Sequence, residues 1–447
     1  MVAFHFHPDL EVGAVRSVKF AKYLPEFGWQ VHVVSVASEY YERTDSSPLP
    51  FECAVHRAGM WPTLLTAASW LKKKSARWSR RIRQADAEAN PADAQATAPR
   101  TARHGSFWQR LVVNLGTTPD AFVGWLVPAT SLAVSVVRRE HIDVIYSSGP
   151  PHTGHIVGFL ASCLTGRPLV TDFRDPWTTQ PAPDARLDRV FFRIERMLES
   201  LIVRRSRLVL GSTQAICQRL MAAHHPRLAT KCVALLNGYD AEDFPVRTLP
   251  PERTAGRVIS FVYAGTLYAG RNPVAFLRVL GEMISEGRVS RNAIVVEFYG
   301  SVEIEAAPLQ AVIDELSLRD VVAFRGSVGR EEYLRLLRNA DVLILIQGDE
   351  TPWAIPAKAF EYLATGNEIL LLAGSHAVAE LLDGYENVHR AALEDAETIR
   401  TCITTIIDRI TSGARHREGA RGSLSHLHKR ELTREFARLL DTASSSG

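Results

Sequence analysis

The sequence predicts an α/β protein made of two doubly wound domains, each with a parallel sheet between layers of helices. Its 447 residues exceed the size of one ordinary core, so two domains are expected. Short β-branched segments alternate with segments of helical length along most of the chain, which is the pattern of repeated β-α-β units. The alternation stops once, at "PVRTLPPERTAGR" (245–257), and then restarts, which predicts the domain boundary.

In the first half, short β-branched runs predict the strands of one parallel sheet. They are residues 31–36, 143–148, 168–173, 207–212 and 232–237. Patterns of helical length, such as "GHIVGFLASCLTG", separate most of them. The apolar run at 122–137 contains Pro128 and hydroxyl residues, so we predict a buried helix there rather than a membrane span. The N-terminal domain is predicted to cover 1–245.

The second half repeats the alternation after a linker at 246–257. The predicted strands are 259–265, 294–300, 321–326, 341–346 and 368–374, and the predicted helices are 273–286, 306–317, 330–339, 356–365 and 376–383. This C-terminal domain is predicted to span 258–424. A last helix within 425–447 is placed to pack back on the N-terminal domain. Ligands of doubly wound sheets bind beyond the carboxyl ends of the strands, so two such domains are expected to face a cleft.

The region 61–110 does not follow the alternation. Its segment 70–83 holds seven Lys or Arg and no acid, and tryptophans punctuate the region at Trp61, Trp70, Trp78 and Trp108. A basic helix with interleaved tryptophans suits an anionic membrane surface, so we predict that 61–83 contacts one. A solvated insertion and nucleic-acid binding stay open as readings of the same charge, although no nucleic-acid partner is expected for the protein.

Composition narrows the class of protein without naming a partner. Apolar residues make up 46%, charged residues 23%, and the net charge is only +3, as in an ordinary globular protein. Five widely spaced cysteines without a CxxC pair predict reduced thiols rather than disulfides or a zinc site. The first residues lack the features of a signal peptide, which predicts a cytoplasmic protein, with a peripheral place on the inner face of the plasma membrane. They are also short for a first strand, which leaves open a start further upstream.

A glycine loop, "FVYAGTLYAGRNP" (261–273), lies between a predicted strand and a predicted helix. Gly265 and Gly270 have P-loop spacing, but Arg271 and Asn272 replace the lysine and hydroxyl that a nucleotide triphosphatase needs. The dinucleotide fingerprint GxGxxG is absent as well. Small residues still let backbone approach a phosphate at a helix N-terminus, and an arginine can grip it. An ordinary turn is the alternative.

A second stretch, "IPAKAFEYLATG" (355–366), opens with a proline suited to a helix start and ends on a glycine suited to a helix end. A cation in the first turn is mildly unfavourable, so Lys358 is expected to face a negative group. Lys358 and Glu361 share one helix face, and an exposed ion pair between them is the alternative. With the arginine of the glycine loop, the lysine predicts a diphosphate site, and the glutamate a ribose contact.

Four motifs together resemble a known family. In chain order they are "FHPDLEVGAVRSVKFAKYLPEFGWQVHVVS", "NGYDAEDF", "YAGTLYAGRNP" and "PAKAFEYLATG", and they resemble the retaining glycosyltransferases of the GT-B fold, family 4. The resemblance spans nearly the whole chain except 61–110 and the tail. It implies two Rossmann-like domains, with the donor in the C-terminal and the acceptor in the N-terminal one. It further implies sugar transfer from a nucleotide-diphosphate sugar to a saccharide or lipid-linked acceptor, with bacterial surface polysaccharide as the expected product and no further cofactor.

The resemblance also implies roles for individual residues. The donor-binding residues would be Gly265, Thr266, Arg271, Gly326, Ser327, Val328, Lys358 and Glu361. Of these, Arg271 and Lys358 would contact the diphosphate, Glu361 the ribose, and the backbone at 326–328 the base. Gly13, Ala14 and Arg16 match the loop beside the diphosphate and acceptor.

Two departures from the family pattern concern the transferred sugar and the acceptor. The family often has a second glutamate eight residues before the ribose-binding one, where this chain has Trp353, with Asp349 and Glu350 out of register. Many members have a histidine after the strand equivalent to 168–173. This chain instead has the cluster Asp172, Arg174 and Asp175, for which a turn ion pair is the alternative reading. His152 is a second candidate for acceptor contact, and His5 and His7 are weaker ones.

The implied mechanism is electrostatic. Arg271 and Lys358 would stabilise the departing diphosphate while the acceptor hydroxyl attacks from the same face, so no protein nucleophile is needed. The DxD motif is absent, so metal-independent transfer is expected. Two rivals stay open: a nucleotide-sugar epimerase of the same fold, and a catalytically degenerate binding protein that associates with membranes.

Overall fold

The computed structural model describes residues 1–63, 107–179, 186–224, 230–244, 258–304, 306–413 and 424–445. These residues divide into two compact units. The first unit contains Met1–Ser212, Ile216–Ala234 and Arg434–Gly447, and the second contains Thr213–Ala215 and Leu235–Thr433. Each unit has its own parallel sheet with helices, which confirms the predicted α/β class.

The first unit has a seven-stranded sheet in which every neighbouring pair is parallel. Its strands are β1 (Val2–Ala3), β2 (His32–Val36), β3 (Ala54–Ala58), β4 (Ile145–Gly149), β5 (Leu169–Phe173), β6 (Leu208–Gly211) and β7 (Cys232–Ala234). Their spatial order is β3-β2-β1-β4-β5-β6-β7. β1 and β3 were not among the predicted strands.

The second unit has a six-stranded sheet that is also parallel throughout. Its strands are β8 (Ile259–Ala264), β9 (Ile294–Tyr299), β10 (Val322–Gly326), β11 (Val342–Gln347), β12 (Glu368–Ala373) and β13 (Val388–Ala391). Their order is β10-β9-β8-β11-β12-β13. All residues of β11 and β12 are buried, as expected for strands that are covered by helices on both faces.

Helices follow most strands and cover the sheets. They are α1 (Val12–Tyr23), α2 (Phe107–Thr117), α3 (Leu126–Arg139), α4 (Thr153–Thr165), α5 (Arg186–Arg205), α6 (Gln214–Ala223), α7 (Val274–Ser285), α8 (Ala306–Glu315), α9 (Arg330–Asn339), α10 (Ala357–Thr365), α11 (Ala377–Leu382), α12 (Ala396–Thr411) and α13 (Lys429–Ser444). The predicted buried helix at 122–137 corresponds to α3, which packs Ala129, Ala133 and Val136 into the core.

Both sheets reverse their strand order at one point. In the first, β1 lies between β2 and β4; in the second, β8 lies between β9 and β11. Strands before and after this point send their connections to opposite faces, which leaves a crevice at the carboxyl ends where ligands of such sheets bind. The β1/β4 and β8/β11 ends are therefore the places to look for function.

The chain passes from one unit to the other within the last helix, α13, and just before the predicted linker. From Arg434 onward α13 belongs to the first unit, where Phe436 packs on Phe20 with ring centroids 4.6 Å apart. Residues 235–244, grouped by sequence with the N-terminal domain, fall in the second unit. There Tyr239 N donates to Leu427 O (3.1 Å) and the Arg338 guanidinium lies 5.3 Å from the Phe244 ring centroid.

Several predictions fall outside the described residues. The linker at 246–257 does, as do 64–106, with most of the insertion and its basic segment 70–83. Among the helices that the structure does describe, none combines the length and apolar character needed to cross a bilayer.

Candidate functional site

In the second unit, the backbone turns sharply where β8 ends. Gly265 has a φ of +145°, which strongly favours glycine, and its N–H donates to the Tyr299 carbonyl at 2.8 Å. A Cβ added at Gly265 would lie 3.2 Å from Lys358 Nζ. The glycine therefore allows the lysine ammonium to come close to the backbone. Next to it, Thr266 Oγ1 lies 3.0 Å from Ser301 Oγ.

Lys358 lies in the first turn of α10 and is 9% exposed. Its Nζ donates to the Ala264 carbonyl at 3.3 Å and lies 4.0 Å from the Tyr263 ring centroid. Burial, with a smaller contribution from the Arg271 charge, holds the pKa of Lys358 well below its ordinary value. The side chain thus lies at the carboxyl end of β8 and makes no ion pair with Glu361, so the alternative of an exposed pair is wrong.

Arg271 is the last residue of the short turn Ala269–Arg271, which contains Gly270. Its guanidinium lies 4.7 Å from the Tyr268 ring centroid, and Nη2 lies 3.5 Å from Gln347 Oε1, at the end of β11. Its Nε is buried without a hydrogen-bond partner among the described residues. Within that part of the chain, neither Arg271 nor Lys358 forms an ion pair. We call these two residues the cation pair.

The remaining donor candidates lie around α9 and α10. Glu361 accepts hydrogen bonds from Arg330 Nη2 and from the Tyr333 hydroxyl, both at 2.6 Å. A carboxylate has lone pairs beyond these two bonds, so acceptor capacity remains. Gly326, with φ +71°, ends β10, and the exposed Ser327 and the half-buried Val328 follow it.

The loops after β11 and β12 each contribute one residue to a pair that was not predicted from sequence. His376, which is 4% exposed and precedes α11, has Nε2 2.7 Å from Asp349 Oδ1. His376 Nδ1 is buried without a partner among the described residues. Glu350 lies against the glycine loop, because a Cβ at Gly270 would clash with its carboxylate. The sequence signal for His376 was its position directly after the strand 368–374.

In the first unit, Arg16 and Asp172 form a buried ion pair. Arg16 Nε and Nη2 donate to the two carboxylate oxygens of Asp172 at 2.7 and 3.0 Å, and the Tyr146 hydroxyl donates to the same carboxylate. Burial alone would lower the pKa of Arg16, but Asp172 and Tyr146 together outweigh it and raise that pKa. The charged atoms of Arg16 and Asp172 therefore face each other.

Gly13 and Ala14, assigned to a loop by resemblance, lie with Arg16 in the first turns of α1. Arg174 follows β5 and joins two segments: Nη1 donates to the Gly13 carbonyl at 2.7 Å, and Nη2 donates to the Pro150 carbonyl. A Cβ at Gly13 would lie 2.6 Å from Arg174 Nη1, so a larger residue there would displace the guanidinium from its present position. Asp175, the next residue, is exposed and forms no ion pair with Arg174 in the described chain.

His152 follows β4, at the carboxyl edge of the first sheet. Its ring stacks on Trp177, with centroids 4.7 Å apart and planes 6° apart, and its Nδ1 is buried without a partner among the described residues. Burial, then the charges of His155 and Arg174, hold the pKa of His152 well below normal. A neutral imidazole with one free nitrogen can accept or donate a single hydrogen bond.

Other polar groups of the first unit were not predicted. Glu199 is fully buried and accepts from Thr178 N at 2.7 Å and from His224 Nε2 at 2.8 Å, so it fixes the loop after β5. Burial raises the pKa of Glu195, one turn earlier in α5, to about 7. His5, a weaker candidate, has Nδ1 2.6 Å from Asp9 Oδ2. No group of three metal-ligating side chains occurs among the residues described.

His155 predicts a loss of stability in mild acid. Burial lowers its pKa to about 3, whereas an unfolded histidine titrates near about 6.5. Between these values the unfolded chain binds more protons, so stability falls as the pH falls. From about pH 7 to about pH 5 this residue alone should remove about 2 kcal/mol of the free energy of unfolding. Urea titrations should show a smaller pH difference in His155→Gln; the exposed control His426→Gln should match wild type, and an equal difference in His155→Gln would contradict the assignment.

Comparisons with known proteins show the fold. No protein-family model and no curated protein sequence matches the chain. Among solved structures, Anabaena HepE, crystallised with UDP and glucose, matches with a TM-score of 0.61 at 14% identity over 99% of both chains. Sucrose-phosphate synthase from Thermosynechococcus elongatus matches with 0.62 at 11% identity, over 100% of this chain and 98% of the other.

A Listeria monocytogenes protein assigned as a UDP-N-acetylglucosamine 2-epimerase also matches, with a TM-score of 0.52 at 11% identity over 99% of this chain and 95% of the other. Identities this low show a shared fold rather than a shared reaction. The two parallel-sheet units described above, together with these neighbours, show that the chain has the GT-B fold.

Proposed function

We propose that the protein is a retaining glycosyltransferase, similar to family 4, that transfers a sugar from a nucleotide-diphosphate sugar to a saccharide or lipid-linked acceptor. The observation that carries the proposal is the cation pair. Lys358 and Arg271 lie at the carboxyl ends of β8 and β11, where the strand order reverses, and neither has a carboxylate partner among the described residues. Two cations held without a counter-charge are suited to receive an anion.

The comparisons support a nucleotide sugar as the anion. HepE was crystallised with UDP and glucose, and its structure aligns with 99% of this chain. In the proposal, the cation pair holds the diphosphate, Glu361 holds the ribose hydroxyls, and the exposed backbone after β10 meets the base. Gly265 and Thr266 complete the donor site as backbone beside the phosphates.

The proposed reaction needs charge stabilisation rather than a protein nucleophile. The bond between the sugar's anomeric carbon and the diphosphate oxygen breaks, and the acceptor oxygen bonds to that carbon from the same face. The acceptor proton passes to a phosphate oxygen. The cation pair stabilises the negative charge that develops on the leaving group, a contribution worth roughly 10²-fold or more per donor. In this scheme the two side chains carry that charge, so no metal ion or further cofactor is required.

The first unit is proposed to bind the acceptor. His152 and Asp175 follow β4 and β5 and offer a free ring nitrogen and an exposed carboxylate. Arg174, next to Asp175, donates to the Pro150 carbonyl two residues before His152, and Asp172 of β5 is held by Arg16. We further propose a cytoplasmic protein in bacterial surface-polysaccharide synthesis, peripheral on the inner face of the plasma membrane through 61–83.

A donor screen followed by a transfer assay tests the proposal. Thermal unfolding is first measured with a panel of nucleotide sugars, and nucleotide release is then measured with and without saccharide or lipid-linked acceptors. We expect one nucleotide class to stabilise the protein, and Arg271→Ala and Glu361→Ala to reduce both stabilisation and turnover. The matched control is Arg278→Ala, an exposed arginine of α7 that should behave like wild type. Equal donor affinity and equal background hydrolysis in wild type and both variants would refute the proposal that the protein is an enzyme.

The epimerase remains a second candidate because a structural neighbour is assigned that activity. It would use the same donor site without an acceptor. Incubating the donor alone and following the sugar configuration by NMR separates the two: inversion at a ring carbon without acceptor supports the epimerase, and product formed only with acceptor supports the transferase. A protein that binds donor and yields neither product would be the catalytically degenerate form.

A further inference from the structure

The helix α5 has a stripe of aliphatic side chains that faces solvent in the described structure. The stripe consists of Val190, Ile194, Met197 and Leu201. Their exposed fractions run from 39% at Ile194 to 56% at Met197. The spacing of four, three and four residues places all of them on one face of the helix over about 16 Å. The scattered exposed aliphatics of an ordinary surface do not line up in this way.

Charge on α5 is divided between its faces. Six arginines occur in the helix, and five of them are exposed: Arg186, Arg189, Arg193, Arg196 and Arg204. The three acids are turned to the protein: Glu199 is fully buried, Glu195 is half-buried, and Asp188 accepts from Asn114 Nδ2 at 2.9 Å. The solvent side of α5 is therefore aliphatic and cationic, without a carboxylate among its exposed residues.

An open concavity of about 390 Å³ lies on the same helix. Three of the exposed arginines line it, at positions 193, 196 and 204, together with Met197 of the stripe. None of the three arginines makes an ion pair in the described chain, although Arg196 Nη2 donates a hydrogen bond to the Ala223 carbonyl at 3.4 Å. Three guanidinium groups around one concavity are suited to a phosphate group.

We propose that α5 docks the first unit on an anionic membrane, with the stripe in the acyl boundary and the concavity holding a lipid phosphate. An interfacial helix is recognised by an apolar stripe with arginine or lysine beside it, and both are present here. In an anionic bilayer, the apolar acyl layer and the lipid phosphates are separated by about one helix radius, so one helix can contact both. Met197 belongs to both the stripe and the concavity, which ties the two features to one occupant.

This surface shares no residue with the donor site, the acceptor site or the segment 61–83, and vesicle binding needs no substrate. Failure of the proposed transfer reaction would therefore leave it unaffected, and its own failure would leave the transferase proposal intact.

The test is cosedimentation of the full-length protein with phosphatidylcholine vesicles, with and without phosphatidylglycerol. Two variants remove the features separately: Ile194→Glu with Met197→Glu for the stripe, and Arg193→Ser, Arg196→Ser and Arg204→Ser together for the concavity. We expect the first to weaken partition into anionic vesicles about tenfold or more. The second should weaken it roughly 100-fold, with little binding of any form to neutral vesicles.

Matched controls are Val127→Glu with Val302→Glu, two exposed aliphatics elsewhere, and Arg288→Ser, Arg319→Ser and Arg335→Ser, three exposed arginines of the second unit. They should bind vesicles like wild type, and all variants should keep the wild-type thermal midpoint. Three outcomes would overturn the proposal. The first is unchanged vesicle binding in both α5 variants, and the second is a wild-type dimer that the stripe variant dissociates. The third is that inorganic phosphate stabilises wild type but not the triple arginine variant, while vesicle binding is the same in both.

Discussion

Replacing Lys358 by methionine is expected to lower the rate of sugar transfer by about 10²-fold or more, while the folded protein stays at least as stable as wild type. In the proposed reaction the rate falls because the ammonium at the end of β8 is half of the cation pair that we propose stabilises the leaving diphosphate. Methionine keeps a straight aliphatic chain of similar length against Tyr263, so the packing of the first turn of α10 is preserved.

Stability moves in the other direction because the ammonium is buried next to a second cation. The pKa of Lys358 is lowered, first by burial and then by Arg271. An unfolded lysine keeps its proton up to about pH 10.4, so between the folded and unfolded values the unfolded chain binds more protons. Stability therefore rises with pH across that window, and at neutral pH the buried charge costs stability that the methionine variant avoids.

Nucleotide release and thermal midpoint, measured side by side, check this prediction. Wild-type nucleotide affinity should also weaken as the pH rises through the lowered pKa of Lys358, because the neutral amine no longer attracts a diphosphate, whereas Lys358→Met should show no such change. Arg319→Met, at an exposed arginine of the second unit, is the control for both measurements. A Lys358→Met protein that is fully active, or one that is inactive only because it unfolds, would contradict the role given to this residue.

All of the interior strands except the two-residue β1 could be predicted from sequence, whereas two of the four edge strands could not. β11 and β12 are uninterrupted apolar runs because helices cover both of their faces. The two longer strands that were missed, β3 and β13, lie at sheet edges, and both contain the letters "VHRA". The histidine and the arginine in each of these strands interrupt the β-branched pattern by which interior strands are identified.

The candidate site divides in a similar way. Of the candidate donor residues, Lys358 and Arg271 lie in short motifs beside strands, so their proximity follows from strand order once the sheet is parallel. The pair of Asp349 and His376 was out of reach because it joins the loops after two different strands, and only strand order β11-β12 brings them together. The partner of Asp172 was out of reach for the same reason, since Arg16 lies 156 residues away in sequence.

This last pair carries the largest expected effect on stability. Asp172→Ala should destabilise the first unit by about 3–5 kcal/mol, because it leaves the Arg16 guanidinium, 2% exposed, without its carboxylate. Tyr146 would lose the acceptor of its hydroxyl as well. Hydrogen exchange of the β4 and β5 amides in urea reports the change locally, which a two-unit protein requires. Asp143→Ala, at a carboxylate 75% exposed in the same unit, should change little.

A double variant distinguishes a structural role of the Arg16–Asp172 pair from a direct role in the reaction. Arg16→Met with Asp172→Leu removes both charges and fills similar volume, so it should regain most of the stability that Asp172→Ala loses. If the pair only positions α1 and β5, the double variant should also regain most of the transfer activity. A stable but inactive double variant would instead mean that one of these charges acts on the substrate, as the resemblance to family 4 implies. A double variant as unstable as Asp172→Ala would contradict the view that an unpaired buried charge is the cause.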